Sequence, residues 1–127
     1  MRLSRMLLIA VLAVLASLTT AASPALALSP TATVLPTACQ ERVCLTVIVE
    51  SQTEVYLMAR AHNPGSNCGR FEASLEAAGR TIQAASNTSC GAPPLWCSSL
   101  IKPAGPGWVR VRFVSNPATP GEPTVFF

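Results

Sequence analysis

The chain has 127 residues, half of them hydrophobic, and its nine cationic and six anionic side chains give a formal net charge of +3. Two of the cationic residues, Arg2 and Arg5, precede a long apolar run, and without them the net charge is +1. So small a charge gives no reason to expect a nucleic-acid or anionic-membrane partner. The roughly one hundred residues that follow the first 27 suffice for one domain with a thin core.

The first 27 residues have the features of a secretory signal peptide. Arg2 and Arg5 form a positive n-region, Met6 to Leu18 is almost entirely apolar, and Ala25-Leu26-Ala27 matches a small-residue cleavage site. The apolar run is too short to span a bilayer. The sequence therefore predicts a secreted, extracellular protein that begins at Leu28 and has no membrane segment after cleavage.

All five cysteines follow this signal, in an export route that oxidises thiols. They are Cys39, Cys44, Cys68, Cys90 and Cys97. Two disulfides with one cysteine left over can be arranged in several ways, and the sequence does not choose among them. The remaining cysteine is either a buried free thiol or an intermolecular link. No second close cysteine pair and no clustered histidine accompany Cys39 and Cys44, so we expect either one small disulfide loop or two separate bridges there, and no metal site.

The β-branched composition predicts a hairpin early in the domain. Residues 28–38 contain two prolines and no charge, which predicts an extended leader ahead of a single disulfide-braced domain at 39–127. Within that domain, 43–51 is dense in β-branched residues, and 54–62 resumes the strand pattern after a short polar break. Two such segments around a polar break are typical of a β-hairpin.

Two further strands are predicted near the C-terminus. The segment from Trp108 to Ser115 alternates apolar residues with Arg110 and Arg112, so we expect the arginines on a solvated face. Residues 124–127 predict a short final strand that places its two phenylalanines in the core.

The segment 69–78 has two interpretations. Apolar residues recur there at helical spacing, at Phe71, Leu75, Ala78 and Ile82. With the intervening Ala and Glu, this predicts one short helix that ends at Gly79. The alternative is a hairpin that turns at Ala78-Gly79. The expected fold class is therefore α+β, a small antiparallel sheet of four or five strands with one helix, and the alternative is an all-β sandwich.

The residue inventory argues against an enzyme. His62 is the only histidine and the chain contains no aspartate, which excludes a Ser-His-Asp triad. The glutamates are best explained as solvated charges, and no phosphate loop or calcium site is present in the sequence. We expect no cofactor and no metal.

The stretch from Cys90 to Pro103 is the candidate binding segment. Its prolines exclude a helix or a central strand. A disulfide such as Cys90–Cys97 would make it a stiff, exposed loop, and a stiff loop loses little conformational entropy on binding.

Short motifs spread over residues 45–127 add a resemblance. They are Leu45-Thr46-Val47, Val55-Tyr56-Leu57, the turn at His62-Asn63-Pro64, Cys68 before a helix ending at Gly79, Pro103 six residues after Cys97, Phe113 to Asn116, and Val125-Phe126-Phe127. Together they resemble the subtilisin-inhibitor-like family of small exported bacterial protease inhibitors. The two cysteines that this family has near the positions of Ala59 and Pro117 are missing.

The resemblance implies a serine protease inhibitor whose rigid loop faces an extracellular protease. The bond presented to the protease would be Ser99-Leu100, with Trp96 and Lys102 in the same loop. The alternative function is a secreted structural or adhesive β-rich binding module without inhibitory activity. In that case Leu95, Trp96, Leu100 and Ile101 are either buried or form an apolar patch. A homodimer is compatible with both.

Overall fold

The computed structural model describes residues 31–62 and 67–127, so the signal peptide expected at 1–27 lies outside the described residues. Within the two described ranges the chain forms nine β-strands and no helix, and hence no helix that could cross a membrane. In chain order they are β1 (Thr33–Val34), β2 (Ala38–Gln40), β3 (Val43–Val49), β4 (Glu54–Ala61), β5 (Cys68–Ala77), β6 (Arg80–Cys90), β7 (Leu95–Ile101), β8 (Trp108–Val114) and β9 (Thr124–Phe126).

The strands form two antiparallel sheets that pack face to face. Sheet I has the order β1-β3-β4-β7, with the short β2 also paired to β3. Sheet II has the order β6-β5-β8-β9. The expected α+β class is therefore wrong, and the all-β sandwich, given as the alternative, describes the fold.

One hydrophobic core fills the space between the sheets. Successive side chains of a strand point to opposite faces, so every second residue of the long strands enters the core. Sheet I contributes Val43, Leu45, Val47, Val55, Leu57, Ala59, Ala61, Trp96 and Leu100, and sheet II contributes Phe71, Ala73, Leu75, Val109, Val111, Phe113 and Val125. Phe71 is central, because its ring centroid lies 4.6 Å from that of Phe113 and 6.0 Å from that of Trp96 in the opposite sheet.

The helix expected at residues 69–78 is absent, and this segment lies within β5. The residues with helical spacing do not share a face: Phe71 and Leu75 are fully buried, whereas Ala78 and Ile82 are exposed. Helix propensities differ by at most about 0.7 kcal/mol per ordinary residue. Burying a phenylalanine or leucine side chain contributes about 1.5 to 3 kcal/mol. The two-residue alternation that buries the inner row of β5 therefore outweighs the local preference for helix.

The β5–β6 hairpin turns at Ala78-Gly79, as in the alternative interpretation of this segment as a hairpin. Ala78 and Gly79 both have positive φ, at 53° and 75°. Positive φ at both central residues is typical of the two-residue turns that match strand twist. At the other end, Cys68 lies opposite Cys90 and the two form a disulfide, so the hairpin is closed at both ends.

The other predicted strands are present, but the two phenylalanines at the end of β9 are not buried as expected. β3 and β4 form the expected hairpin, and β8 alternates as expected. In β9, however, it is Val125 that enters the core beside Val109, its partner on β8. Phe126 therefore points outward and is 71% exposed, and Phe127 is only partly buried. The expectation that both phenylalanines enter the core is wrong, because adjacent residues of a strand face opposite sides.

Hydrogen bonds from β6 close one side of the sandwich over the edge strand β7. The Ser89 hydroxyl donates to the Leu95 carbonyl at 2.7 Å, and the Ile101 amide donates to Gln83 Oε1 at 2.9 Å. Side chains of one sheet thus satisfy backbone groups at the edge of the other, which is one way to protect an edge strand from unwanted pairing.

The segment before β9 closes the opposite side against the β2–β3 turn. The Glu122 amide donates to Gln40 Oε1 at 2.6 Å, and the Arg42 amide donates to the Pro120 carbonyl at 3.1 Å. These bonds fix the position of the β2–β3 turn, because they join it to the connection between β8 and β9.

Replacement of Ala78 by asparagine should stabilise the protein. A left-handed conformation costs an ordinary residue about 1 to 2 kcal/mol, and asparagine followed by glycine is the preferred pair for this turn. We expect Ala78→Asn to raise the free energy of unfolding in urea by about 0.5 to 1 kcal/mol. The control is Ala84→Asn on β6, which should give no gain because asparagine is a poor strand residue. Equal gains from both would contradict the turn assignment.

Candidate functional site

The expected binding segment at 90–103 contains strand β7 and is not an open loop. The prolines at 93, 94 and 103 lie outside the strand, so they bracket it without interrupting it. Within β7, Trp96 and Leu100 are 7% and 2% exposed and belong to the core. Ser99 is exposed and lies opposite Tyr56 of β4. The Ser99–Leu100 bond thus lies in a paired strand, in a geometry unlike the convex loop of an inhibitor.

Lys102 follows β7 directly and is bound to the body of the domain. Its amide donates to the Thr53 carbonyl at 2.9 Å, and its Nζ donates to the Pro103 carbonyl at 3.1 Å. The same ammonium lies 5.6 Å from the centroid of the Phe127 ring, within the range of a cation–π contact. These contacts leave Lys102 poorly placed to project into a protease.

The cysteines pair as Cys39–Cys44 and Cys68–Cys90, and Cys97 is free. The first disulfide closes a small loop, one of the two arrangements expected for that pair. The expected brace between Cys90 and Cys97 is not formed. Cys97 is exposed on the outer face of sheet I, opposite Met58, so it is not the buried thiol that was one of the two expectations.

The outer face of sheet II carries a network of neutralised charges. Arg112 Nε donates to Glu72 Oε1 at 2.8 Å, and Arg70 Nη2 donates to Glu72 Oε2 at 2.7 Å. Arg110 pairs in the same way with Glu76 and with Glu122, at 3.2 Å each. The hydrogen bond from Arg112, more than any other contact, holds the pKa of Glu72 below its ordinary value. This face is a ladder of mutually compensated charges.

The outer face of sheet I has a different pattern, because its charge changes from one end to the other. At one end, the Tyr56 hydroxyl donates to the Glu54 carboxylate, and this bond raises the pKa of Tyr56 above its ordinary value of 10.0. At the other end are Arg60, Arg42 and His62. Along the sides of this face lie Val34, Leu95 and Ile101, which are 58%, 61% and 69% exposed.

The cationic end of this face forms a pocket of about 320 Å³. Its lining residues are Glu41, Arg42, Cys44, Arg60, His62 and Pro93, and we call it the cationic pocket. It continues, through Cys44 and Arg60, into a shallow depression of about 290 Å³ whose other lining residues include Thr46, Met58, Leu95 and Cys97. The two together make a groove with a cationic end and an apolar body.

The groove offers groups for binding, and the described residues assemble no catalytic pair in it. Cys97 lies opposite Met58, four residues along β4 from His62, which corresponds to about 13 Å of extended chain. A cysteine–histidine pair needs hydrogen-bond contact. Among residues 31–62 and 67–127, no three His, Cys or Glu side chains are grouped so as to hold a metal ion.

Sequence reasoning missed the convergence of Arg42, Arg60 and His62, although the signal was present. The predicted hairpin places the two strands side by side, but the strand pattern alone does not determine which residues lie opposite each other. With Cys44 opposite Arg60, the residues two positions further along the ladder, Arg42 and His62, share the same face. Considered alone, His62 indicates only a turn residue. Its position beside Arg42 across the ladder is what places it in a cationic group.

No protein-family model matches the chain. No curated protein and no solved structure matches it either.

The core position of Leu100 can be tested against its exposed neighbour. Leu100→Ala should lower the free energy of unfolding by about 2 to 5 kcal/mol, because it removes a buried side chain and leaves a cavity. Ile101→Ala, on the exposed side of the same strand, should cost less than about 1 kcal/mol. Chemical unfolding of both variants measures this, and a larger loss for Ile101→Ala would contradict the assignment of faces.

The Glu72 network should contribute to stability in a pH-dependent way. Because folding lowers the pKa of Glu72, its contribution is fully present above the ordinary value of 4.5 and is lost as the pH falls through the lower value of the folded state. We therefore expect Glu72→Gln to have a lower melting temperature than the wild type at pH 7, with the difference narrowing below pH 4.5. Thermal unfolding across this range is the measurement, and a pH-independent difference would refute the interpretation.

Proposed function

We propose that the protein is a secreted β-sandwich binding module that holds an extended segment of a partner protein on the outer face of sheet I. The observation that carries the proposal is that the three most exposed large aliphatic side chains of the described residues, Leu95, Ile101 and Val34, all lie along the edges of this face. On sheet II, Ile82 and Val114 are less exposed, and the most exposed apolar residue there is the aromatic Phe126. Burial of exposed aliphatic side chains is a main driving force of protein association.

The charge pattern of the same face supports a partner of defined chemistry. The face runs from Glu54, at the end beside Ile101, to Arg60, at the end beside Leu95. Along β4 these two charges are six residues apart, about 20 Å. A partner segment with apolar residues in the middle and an acidic group at the Arg60 end is complementary to it. Such complementarity fixes orientation more than it adds affinity.

The geometry gives less support to a protease inhibitor. An inhibitor of the expected kind needs an exposed, rigid loop around Ser99 and Leu100. Leu100 is 2% exposed, and Cys97, which was to brace the loop, is unpaired. We therefore favour the binding module. Protease inhibition is the second candidate function, and it is supported only by the sequence resemblance.

Export is part of the proposal. It rests on the signal features of residues 1–27 and on the two disulfides, which are consistent with an oxidising, extracellular setting. An exported preparation whose N-terminal sequence begins at Leu28 is the starting material for the test below.

Selection of binders from a displayed random peptide library tests the docking surface. We expect enriched peptides to combine apolar and acidic residues. The double variant Leu95→Ser/Ile101→Ser should bind them about tenfold or more weakly, because it removes two large aliphatic contacts. The control is Val114→Ser, which removes an exposed aliphatic residue from sheet II. Circular dichroism and melting curves establish that all variants are folded.

The other outcomes each contradict the proposal. Binders that are insensitive to the double variant would place docking elsewhere. Sedimentation velocity that shows a concentration-dependent dimer, abolished by the double variant, would make a second copy the occupant of the face. Inhibition of subtilisin or a trypsin-like protease by the mature protein at molar excess would restore the inhibitor hypothesis.

A further inference from the structure

Two arginines lie close together at the cationic end of sheet I. Cys44 of β3 is directly opposite Arg60 of β4, and the ladder continues one step further, where the His62 amide donates to the Arg42 carbonyl at 2.8 Å. Arg42 and Arg60 are therefore diagonal neighbours on one face, about 7 to 8 Å apart at the backbone and within reach of each other's long side chains.

Neither of these arginines is neutralised by the chain itself. All six glutamates lie in the described residues, and there is no aspartate. On sheet II, Arg70, Arg110 and Arg112 are all paired with glutamate. Within the described chain, Arg42 and Arg60 form no ion pair, not even with Glu41, which lines the same pocket. Like charges placed close together on a sheet are destabilising unless an anion compensates them.

The backbone that carries these side chains is held firmly. The two-residue turn at Glu41-Arg42 lies next to the Cys39–Cys44 disulfide, and the Arg42 amide donates to the Pro120 carbonyl at 3.1 Å. Glu41 has a φ of 50°, which is the left-handed conformation typical of the first central residue of a two-residue hairpin turn.

We infer that the cationic pocket is a binding site for the carboxylate groups of an acidic peptide segment. A guanidinium presents parallel donors that match a carboxylate or phosphate in a bidentate way, and such charge-assisted hydrogen bonds are among the strongest in proteins. Arg42, Arg60 and His62 line a volume of about 320 Å³, which has room for more than one carboxylate. This deepens the proposed function, because it names the group by which the partner segment is anchored.

The apolar depression next to the pocket favours a peptide as the source of the carboxylates. Both cavities share Arg60 and Cys44, and the depression passes Met58 and Leu95. A free inorganic anion would use only the cationic end. A peptide with an acidic residue followed by an apolar one would occupy both.

Titration calorimetry with an acetylated tetraglutamate peptide, and separately with inorganic phosphate, tests the site in the mature protein. Arg42→Gln and Arg60→Gln should each weaken peptide binding about tenfold, the loss of one charge-assisted contact. Arg80→Gln is the matched control, because it removes the same charge from an exposed position on β6 outside the pocket. Arg60→Lys should also weaken binding, since it keeps the charge but removes the planar pair of donors.

The possible results distinguish failure of the cationic pocket from failure of the apolar docking face on sheet I. Peptide binding that survives Leu95→Ser/Ile101→Ser but is lost in Arg60→Gln supports the pocket even if docking on the apolar face fails. Phosphate that binds with the same arginine dependence, and more tightly than the peptide, would overturn the carboxylate assignment in favour of a phosphorylated ligand. Absence of saturable binding by both probes, or an equal loss in Arg80→Gln, would overturn the site altogether.

Discussion

The register of the β3–β4 hairpin is the constraint on which both the core and the candidate surface depend. Because side chains alternate, the pairing of Leu45 with Ala59 that buries one row also exposes the row that contains Arg60. A slip of one residue would place Arg60 in the core, at a cost far larger than any gain on the surface. The hydrophobic core therefore fixes the position of Arg60 in the cationic pocket, and the Cys39–Cys44 disulfide and the hydrogen bond to Pro120 hold the turn that carries Arg42.

The two closures of the sandwich determine which backbone edges remain open to solvent. On one side, polar side chains of β6 reach the edge of β7, and on the other the segment before β9 is bonded to the β2–β3 turn. Edge strands protected in this way are poor templates for strand addition. With the β7 edge covered, the proposed recognition by sheet I relies on the side chains of its outer face, which is consistent with the change of charge from Glu54 to Arg60.

Where a segment alternates strongly, the sequence was enough to predict it. The strands around Val47 and Val111 are evident because they are rich in β-branched residues, and the strand around Leu57 because its apolar residues resume the pattern after a polar break. The helix expected at 69–78 is wrong, because Ala and Glu favour helix locally, whereas the rings that pack on Phe71 of this strand, Phe113 and Trp96, are distant in sequence. Burial of the inward-facing residues of β5 stabilises the strand only when the other sheet covers them. Local helix and strand propensities do not reveal that contact.

The candidate surface was harder to predict, because the meaning of a charged residue depends on what lies across the ladder. The alternating arginines of β8 are paired by glutamates of β5, residues some forty positions away, and exposed ion pairs of this kind contribute little free energy. Arg42 and Arg60 have the same chemistry and a similar exposure, yet all the glutamates of the chain are elsewhere or unpaired with them. With only six carboxylates available, their distribution leaves one end of sheet I with uncompensated positive charge. Two neighbouring guanidinium groups repel each other in the isolated domain, and the proposed anionic, partly apolar segment would offset this repulsion and bury the aliphatic side chains beside it.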